Sequence, residues 1–165
     1  MTIHGFKEWG VVCEAIGSGR QDIIFRKGGI HEGREGFSFK YEEFVLFPTL
    51  FHAQADYVTE GKAPAKPEWK VGDVVAIDYF CRAKKAVTLT QWEDVLALAD
   101  RHIWTEETIR DRFDWEGKGM AAGSIHVAEL EVVKLADTWN ITYEKKYGGC
   151  RSWIELSDFP QDALV

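Results

Sequence analysis

Residues 8–27 read "EWGVVCEAIGSGRQDIIFRK". Glu8 to Ile16 is rich in strand formers, "GSGR" supplies turn chemistry, and "QDIIFRK" has the composition of an antiparallel partner. The segment predicts a β-hairpin near the start of the chain. Such a start argues against a doubly wound nucleotide fold, which needs regular alternation of strand and helix.

Further along, "EEFVLFPT" reads as a buried strand ending at Pro48, which cannot donate to a sheet ladder. Thr49 is placed to cap a short helix reaching about Val58, with His52 in its first turn and Asp56 four residues later on the same face. Thr59 to Lys70, with Pro64 and Pro67, reads as a surface loop. "VVAIDYFCRAKKAVTLT" supplies one long bent strand or two paired ones, with Arg82, Lys84 and Lys85 at an edge or bend.

Thr90 and Glu93 have capping-box spacing, and Trp92, Val95, Leu96 and Ala99 recur at helical intervals. Thr105 is set to cap a second helix, with Glu106 and Glu107 in its first turn and Ile109 and Phe113 as its buried stripe. "IHVAELEVVKL" predicts a strand, and "TWNITYEKKYGGCRSWIEL" a closing hairpin that turns at Gly148 and Gly149. Strands at both ends around a central pair of helices predict an α+β domain. Its sheet is expected to be mainly antiparallel and curved, or a partial β-barrel, with about three helices.

The 165 residues fit one domain, 1–165, and 45% hydrophobic with 28% charged residues is ordinary for a globular chain. A formal charge of −7 disfavours long-range, nonspecific attraction to nucleic acid, while leaving room for a local basic patch. Cys13, Cys81 and Cys150 are widely spaced with no C-x-x-C pair, which points to a reducing compartment. The amino end lacks the basic start and apolar run of a signal peptide, and no stretch is long and apolar enough to span a bilayer. A cytoplasmic protein with no membrane association is therefore expected. Nothing in the sequence identifies a cofactor, and no spacing defines a metal site.

Phosphate motifs fail on inspection. Gly17-Ser18-Gly19 is followed by Asp22 where a dinucleotide fingerprint needs glycine, and Gly117-Lys118-Gly119 lacks the spacing and hydroxyl of a P-loop. The strongest chemical cluster is "RKGGIHEGREGF", residues 26–37. Arg26, Lys27, His31 and Arg34 offer donors to an anion, and Gly28 and Gly29 allow close backbone approach. Thr49, His52, His102 and Trp104 join the candidate set because all lie at predicted element ends.

Several of these elements together resemble a named family. Phe6-Lys7-Glu8-Trp9, the "RKGGI" of residues 26–30, Phe44-Val45-Leu46-Phe47-Pro48-Thr49 with His52, and the "HIWT" of residues 102–105 are similar to the bacterial domain of unknown function 1802. The resemblance implies a bacterial origin and points to no particular activity. One departure is His52-Ala53-Gln54, where the family pattern places histidine and glutamine side by side, so no role carries over to Gln54.

The order of elements is also similar to the PUA and ASCH-like group. A binding module for a nucleotide or single-stranded nucleic acid is the first expectation, with Arg26, Lys27 and Arg34 on phosphate, Gly28 and Gly29 completing the cradle, and Trp104 stacking on a base. A metal-assisted hydrolase using His31, His52, His102 and Glu32 is the second. A protein-interaction domain whose tryptophans form a partner surface is the third.

Overall fold

The computed structural model describes residues 1–27, 39–62 and 64–164. Its strands are β1 (Ile3–Trp9), β2 (Ile23–Lys27), β3 (Glu43–Thr49), β4 (Val74–Leu89), β5 (Ile125–Thr142) and β6 (Trp153–Leu156), and its helices α1 (Gly10–Gly17), α2 (Trp92–Leu96) and α3 (Glu106–Phe113). Among the described residues these strands form one open sheet in the order β2-β5-β4-β3-β1-β6. Only β1 and β3 run parallel; the other neighbours are antiparallel. The expected α+β class with a mainly antiparallel sheet is therefore what the chain forms. No helix among the described residues is long and apolar enough to cross a membrane.

The opening hairpin does not form. Most of the expected first strand, Gly10–Gly17, is a helix that buries Val11, Val12, Cys13, Ala15 and Ile16, and β1 and β2 on either side of it stand far apart in the sheet order. Burial of one continuous face overrides the strand preference of the valines, as tertiary packing commonly does. Trp9 occupies the N-cap and makes no side-chain cap bond. Gln54 takes that part: its Oε1 accepts from the Val11 amide at 3.3 Å, and its Nε2 donates to the Thr49 carbonyl at 2.6 Å. At the other end Gly19, at φ 79°, lets the chain turn back so that the Arg20 and Gln21 amides reach the Ala15 carbonyl.

Thr49 caps no helix. It closes β3 opposite Trp9, and only a 3-10 turn, Gln54–Tyr57, follows. The Thr90–Glu93 capping box is also not formed, since Gln91 is the N-cap of a five-residue helix with no side-chain cap bond. The Thr105 cap is present, its Oγ1 accepting from the Thr108 amide at 3.2 Å, and Ile109 and Phe113 are buried as expected. The closing hairpin is replaced by two separate pairings: β5 lies on β4, and β6 adds to β1. β4 is one long strand, and its register shifts between Ala83 and Lys85, inside the basic stretch.

β3 shows how the core is arranged. Phe44 and Leu46 belong to a cluster with α1, α3, Phe6 and Phe25, while Val45 and Phe47 belong to another with Ile77, Phe80 and Phe159. Alternate side chains leave on opposite faces of a strand, so a continuous apolar run here marks a strand covered on both sides.

Candidate functional site

The ends of β1 and β2 are the floor of a cleft of about 610 Å³. Parallel pairing sets the end of β1 beside the end of β3, which brings Phe51 to Trp9. Antiparallel pairing brings the chain before β6 to the same place, the Lys7 amide donating to the Ser152 carbonyl at 2.8 Å. α3 packs on β2 and supplies Thr108, Asp111 and Arg112, with Trp115 just beyond its end.

Charge is concentrated at the floor. Glu8 is buried, 2% exposed, and its Oε1 accepts from the Trp9 amide at 2.8 Å. Arg26 Nη1 stands 3.6 Å from Glu8 Oε2, its Nη2 donates to the Lys7 carbonyl at 2.7 Å, and its guanidinium lies 4.2 Å from the Phe6 ring centre. Arg112 is held differently. Its guanidinium lies 5.0 Å from the Trp9 ring centre and 4.7 Å from that of Trp104, and it donates to the Phe25 carbonyl at 3.4 Å.

No carboxylate among the described residues lies within ion-pairing distance of Arg112, in a protein with 27 acidic side chains. Burial pulls its pKa down to about 10, with Glu8 opposing and Arg26 adding to the fall, so it stays charged at neutral pH. Burial and then the neighbouring cations Arg112 and Arg26 also lower the pKa of Lys27. Lys27 Nζ lies 3.2 Å from the centre of the Trp115 ring. These cations repel one another, and among the described residues only Glu8 lies within ion-pairing distance of any of them, which is the electrostatics of an anion site.

The walls are aromatic. Trp9, Phe51 and Tyr57 contact one another on one side, with Tyr57 42% exposed, and Trp115 stands on the other, 51% exposed. Flat faces over a cationic floor suit a ligand that combines a planar ring with an anion.

The sequence candidates are distributed unevenly. Arg26 and Lys27 line the cleft, and Thr49 lines a second lobe next to it. His102 and Trp104 lie beneath the floor. Trp104 is 2% exposed, which leaves it no face for a base, and it supports Arg112 instead. His102 packs edge-on against Phe25 with its Nδ1 buried and without a hydrogen-bond partner among the described residues, and burial, reinforced by Arg112, lowers its pKa to about 4. His52 is exposed and lines neither lobe. Gly28, Gly29, His31 and Arg34 lie outside the described residues. Among the described residues no three His, Cys, Asp or Glu side chains gather as a metal site would require.

Sequence reasoning missed Arg112, Glu8, Trp9, Tyr57 and Trp115. Arg112 sits in "IRDRFDW", where alternating charges look like a solvated helix face. Only the packing of α3 against β2 turns it inward.

The model of a family described as a domain of unknown function, DUF1802, matches residues 5–164. Similar solved structures are ASCH proteins from Zymomonas mobilis. A tyrosine-to-phenylalanine mutant of ZmASCH matches with a TM-score of 0.54 at 14% identity, over 93% of this chain and 88% of that one. A crystal structure titled ASCH matches at 0.46 and 14% identity, and a serine-to-alanine mutant at 0.47 and 13%; each covers 78% of this chain and 66% of that one. The chain thus spans about two thirds of those two proteins. At such identities the likeness is one of fold, and the fold is ASCH-like. No curated protein matches the chain.

Proposed function

The chain belongs to the domain of unknown function 1802 family, and from that premise we propose that it is a binding module whose cleft takes a nucleotide or single-stranded nucleic acid. The observation that carries this reading is Arg112, a guanidinium stacked between two indoles with no carboxylate within ion-pairing distance among the described residues. Arg112 and Arg26 receive the phosphate, Lys27 adds a second cationic contact, and the base lies against the exposed faces of Trp115 or Tyr57. Arginine suits this part because its planar fork binds two phosphate oxygens at once while its faces stack on aromatic rings.

The proposal replaces Trp104 by the exposed rings as the stacking surface, and keeps Arg26 and Lys27 as anion contacts. It sets the protein in the cytoplasm of a bacterium, a reducing setting that suits Cys13, Cys81 and Cys150, which are all free.

Thermal unfolding of wild type and Arg112→Gln, with AMP, adenosine and inorganic phosphate, tests the reading. A ligand at about tenfold its Kd adds about 1.4 kcal/mol, a rise of roughly 3–6 °C for a chain of this size. AMP is expected to stabilise wild type by this amount and adenosine by much less, and Arg112→Gln is expected to respond to neither. An AMP response of equal size in Arg112→Gln would remove the central anion contact from the proposal.

A further inference from the structure

We propose that the lobe beside the cleft is a second nucleotide subsite, so that the groove takes a strand of at least two nucleotides rather than one; this rests on the nucleotide-binding reading above. The second lobe has a volume of about 600 Å³ and shares Trp9, Arg26, Phe51, Cys150 and Ser152 with the first. The shared residues make the two lobes one continuous groove with Arg26 at the junction. Each lobe lies within the range of a pocket for one small ligand, about 300–1,000 Å³.

The second lobe repeats the chemistry of the first with different residues. Its aromatic walls are Trp69 and Tyr143. Trp69 is fixed by donation from its Nε1 to the Pro48 carbonyl at 2.7 Å, and Tyr143 by ring contacts with Phe47 and Tyr147. Its cations are Lys7 and Arg151. Lys7 Nζ is tethered by the carbonyls of Tyr147 and Gly149, both at 2.8 Å, in a turn that Gly149 makes possible with φ 89°. Neither Lys7 nor Arg151 has a carboxylate within ion-pairing distance among the described residues. Burial and the charge of Arg151 both lower the pKa of Lys7, the same cationic crowding as at Arg112.

A stacking surface in each lobe and a cation there with no ion pair among the described residues, with one shared guanidinium between them, match the alternation of base and phosphate along a single strand. A double helix does not fit this pattern, because its base faces are already stacked on one another. Asp111 in the first lobe and Glu68 in the second are the exposed carboxylates of the groove. They can accept from exocyclic amino groups of the bases.

Titration calorimetry with AMP and with 5′-phosphorylated oligoadenylates of two and four nucleotides tests the inference, using wild type, Arg151→Ala and Lys27→Ala. Arg151 is exposed and its side chain makes no hydrogen bond or ion pair among the described residues, so its loss is expected to leave the protein folded. Wild type is expected to gain roughly tenfold or more in affinity from AMP to the dinucleotide. Arg151→Ala is expected to bind AMP as wild type does and to lose most of that gain, while Lys27→Ala weakens every ligand. Equal affinity for AMP and both oligoadenylates, or a gain undiminished in Arg151→Ala, would overturn the second subsite and leave the cleft reading standing. Absence of binding by any of the three to wild type would overturn both.

Discussion

A histidine beneath a guanidinium gives the floor of the cleft its own pH response. His102 is packed on Phe25 beside Trp104, with its Nδ1 buried and without a hydrogen-bond partner among the described residues, and its pKa falls from 6.5 to about 4 because burial and then Arg112 disfavour the imidazolium. The unfolded chain takes up this proton near pH 6.5, while the folded chain resists until about pH 4. Stability is therefore lost as the pH falls through that window and levels off below it. The effect can be isolated from the other histidines by comparing wild type with His102→Gln. The Tm of wild type is expected to fall more steeply between pH 7 and pH 5, and parallel profiles would show that His102 does not titrate this way. The same residue shows what the sequence conveyed about the site. Arg26 and Lys27 were legible because two cations precede two glycines at a strand end. His102 and Trp104 were legible as neighbours of the site, but their burial depends on Phe25 of β2, distant in the chain, packing against them.

Among the elements, α1 is where local reading and structure part. Val11, Val12, Ala15 and Ile16 lie at helical spacing, and Gly19 stands where a C-terminal glycine belongs, so the helix had a signal. Strand propensity competed with it, and no Ser, Thr, Asp or Asn at position 9 marked the start. The missing cap comes from Gln54, 43 residues away, which bonds both the Val11 amide and the Thr49 carbonyl from a fully buried position. Gln54 thus locks the start of α1 to the end of β3 and with them the placement of Trp9. Gln54→Leu leaves the buried Val11 amide and the part-buried Thr49 carbonyl without this partner, and the expected cost is about 1–3 kcal/mol. Urea unfolding is expected to show the lower midpoint with an unchanged slope; a midpoint within error of wild type would mean that water replaces both bonds. β3, β4, β5 and α3 were readable because their patterns run long or carry a strong cap. The partner of β6 was not, because pairing with β1 joins the two ends of the chain and leaves no trace in local pattern.

At the scale of the whole molecule, an acidic protein gathers five cationic side chains along one groove. The net charge of −7 opposes approach of a long polyanion, whereas Lys7, Arg26, Lys27, Arg112 and Arg151 converge where the ends of β1 and β2 meet α3 and the turn before β6. Arg26 alone of these five has a carboxylate within ion-pairing distance among the described residues. Attraction for a phosphate is thereby concentrated in the groove, while the net charge opposes approach of a long polyanion. This distribution sets the salt response. For a single strand the slope of log K against log salt is about −0.7 for each phosphate neutralised. If three or four of the groove cations pair with phosphate, the slope for a tetranucleotide is expected to be roughly −2 to −3. A slope near zero would mean that the bases alone hold the ligand and that the cations serve the fold. A slope steeper than about −3.5 would require phosphate contacts beyond the five groove cations, and the groove would then not define the whole binding surface. Either departure is measurable by anisotropy across a salt series, and only the intermediate slope fits a short, local contact on an otherwise repulsive protein.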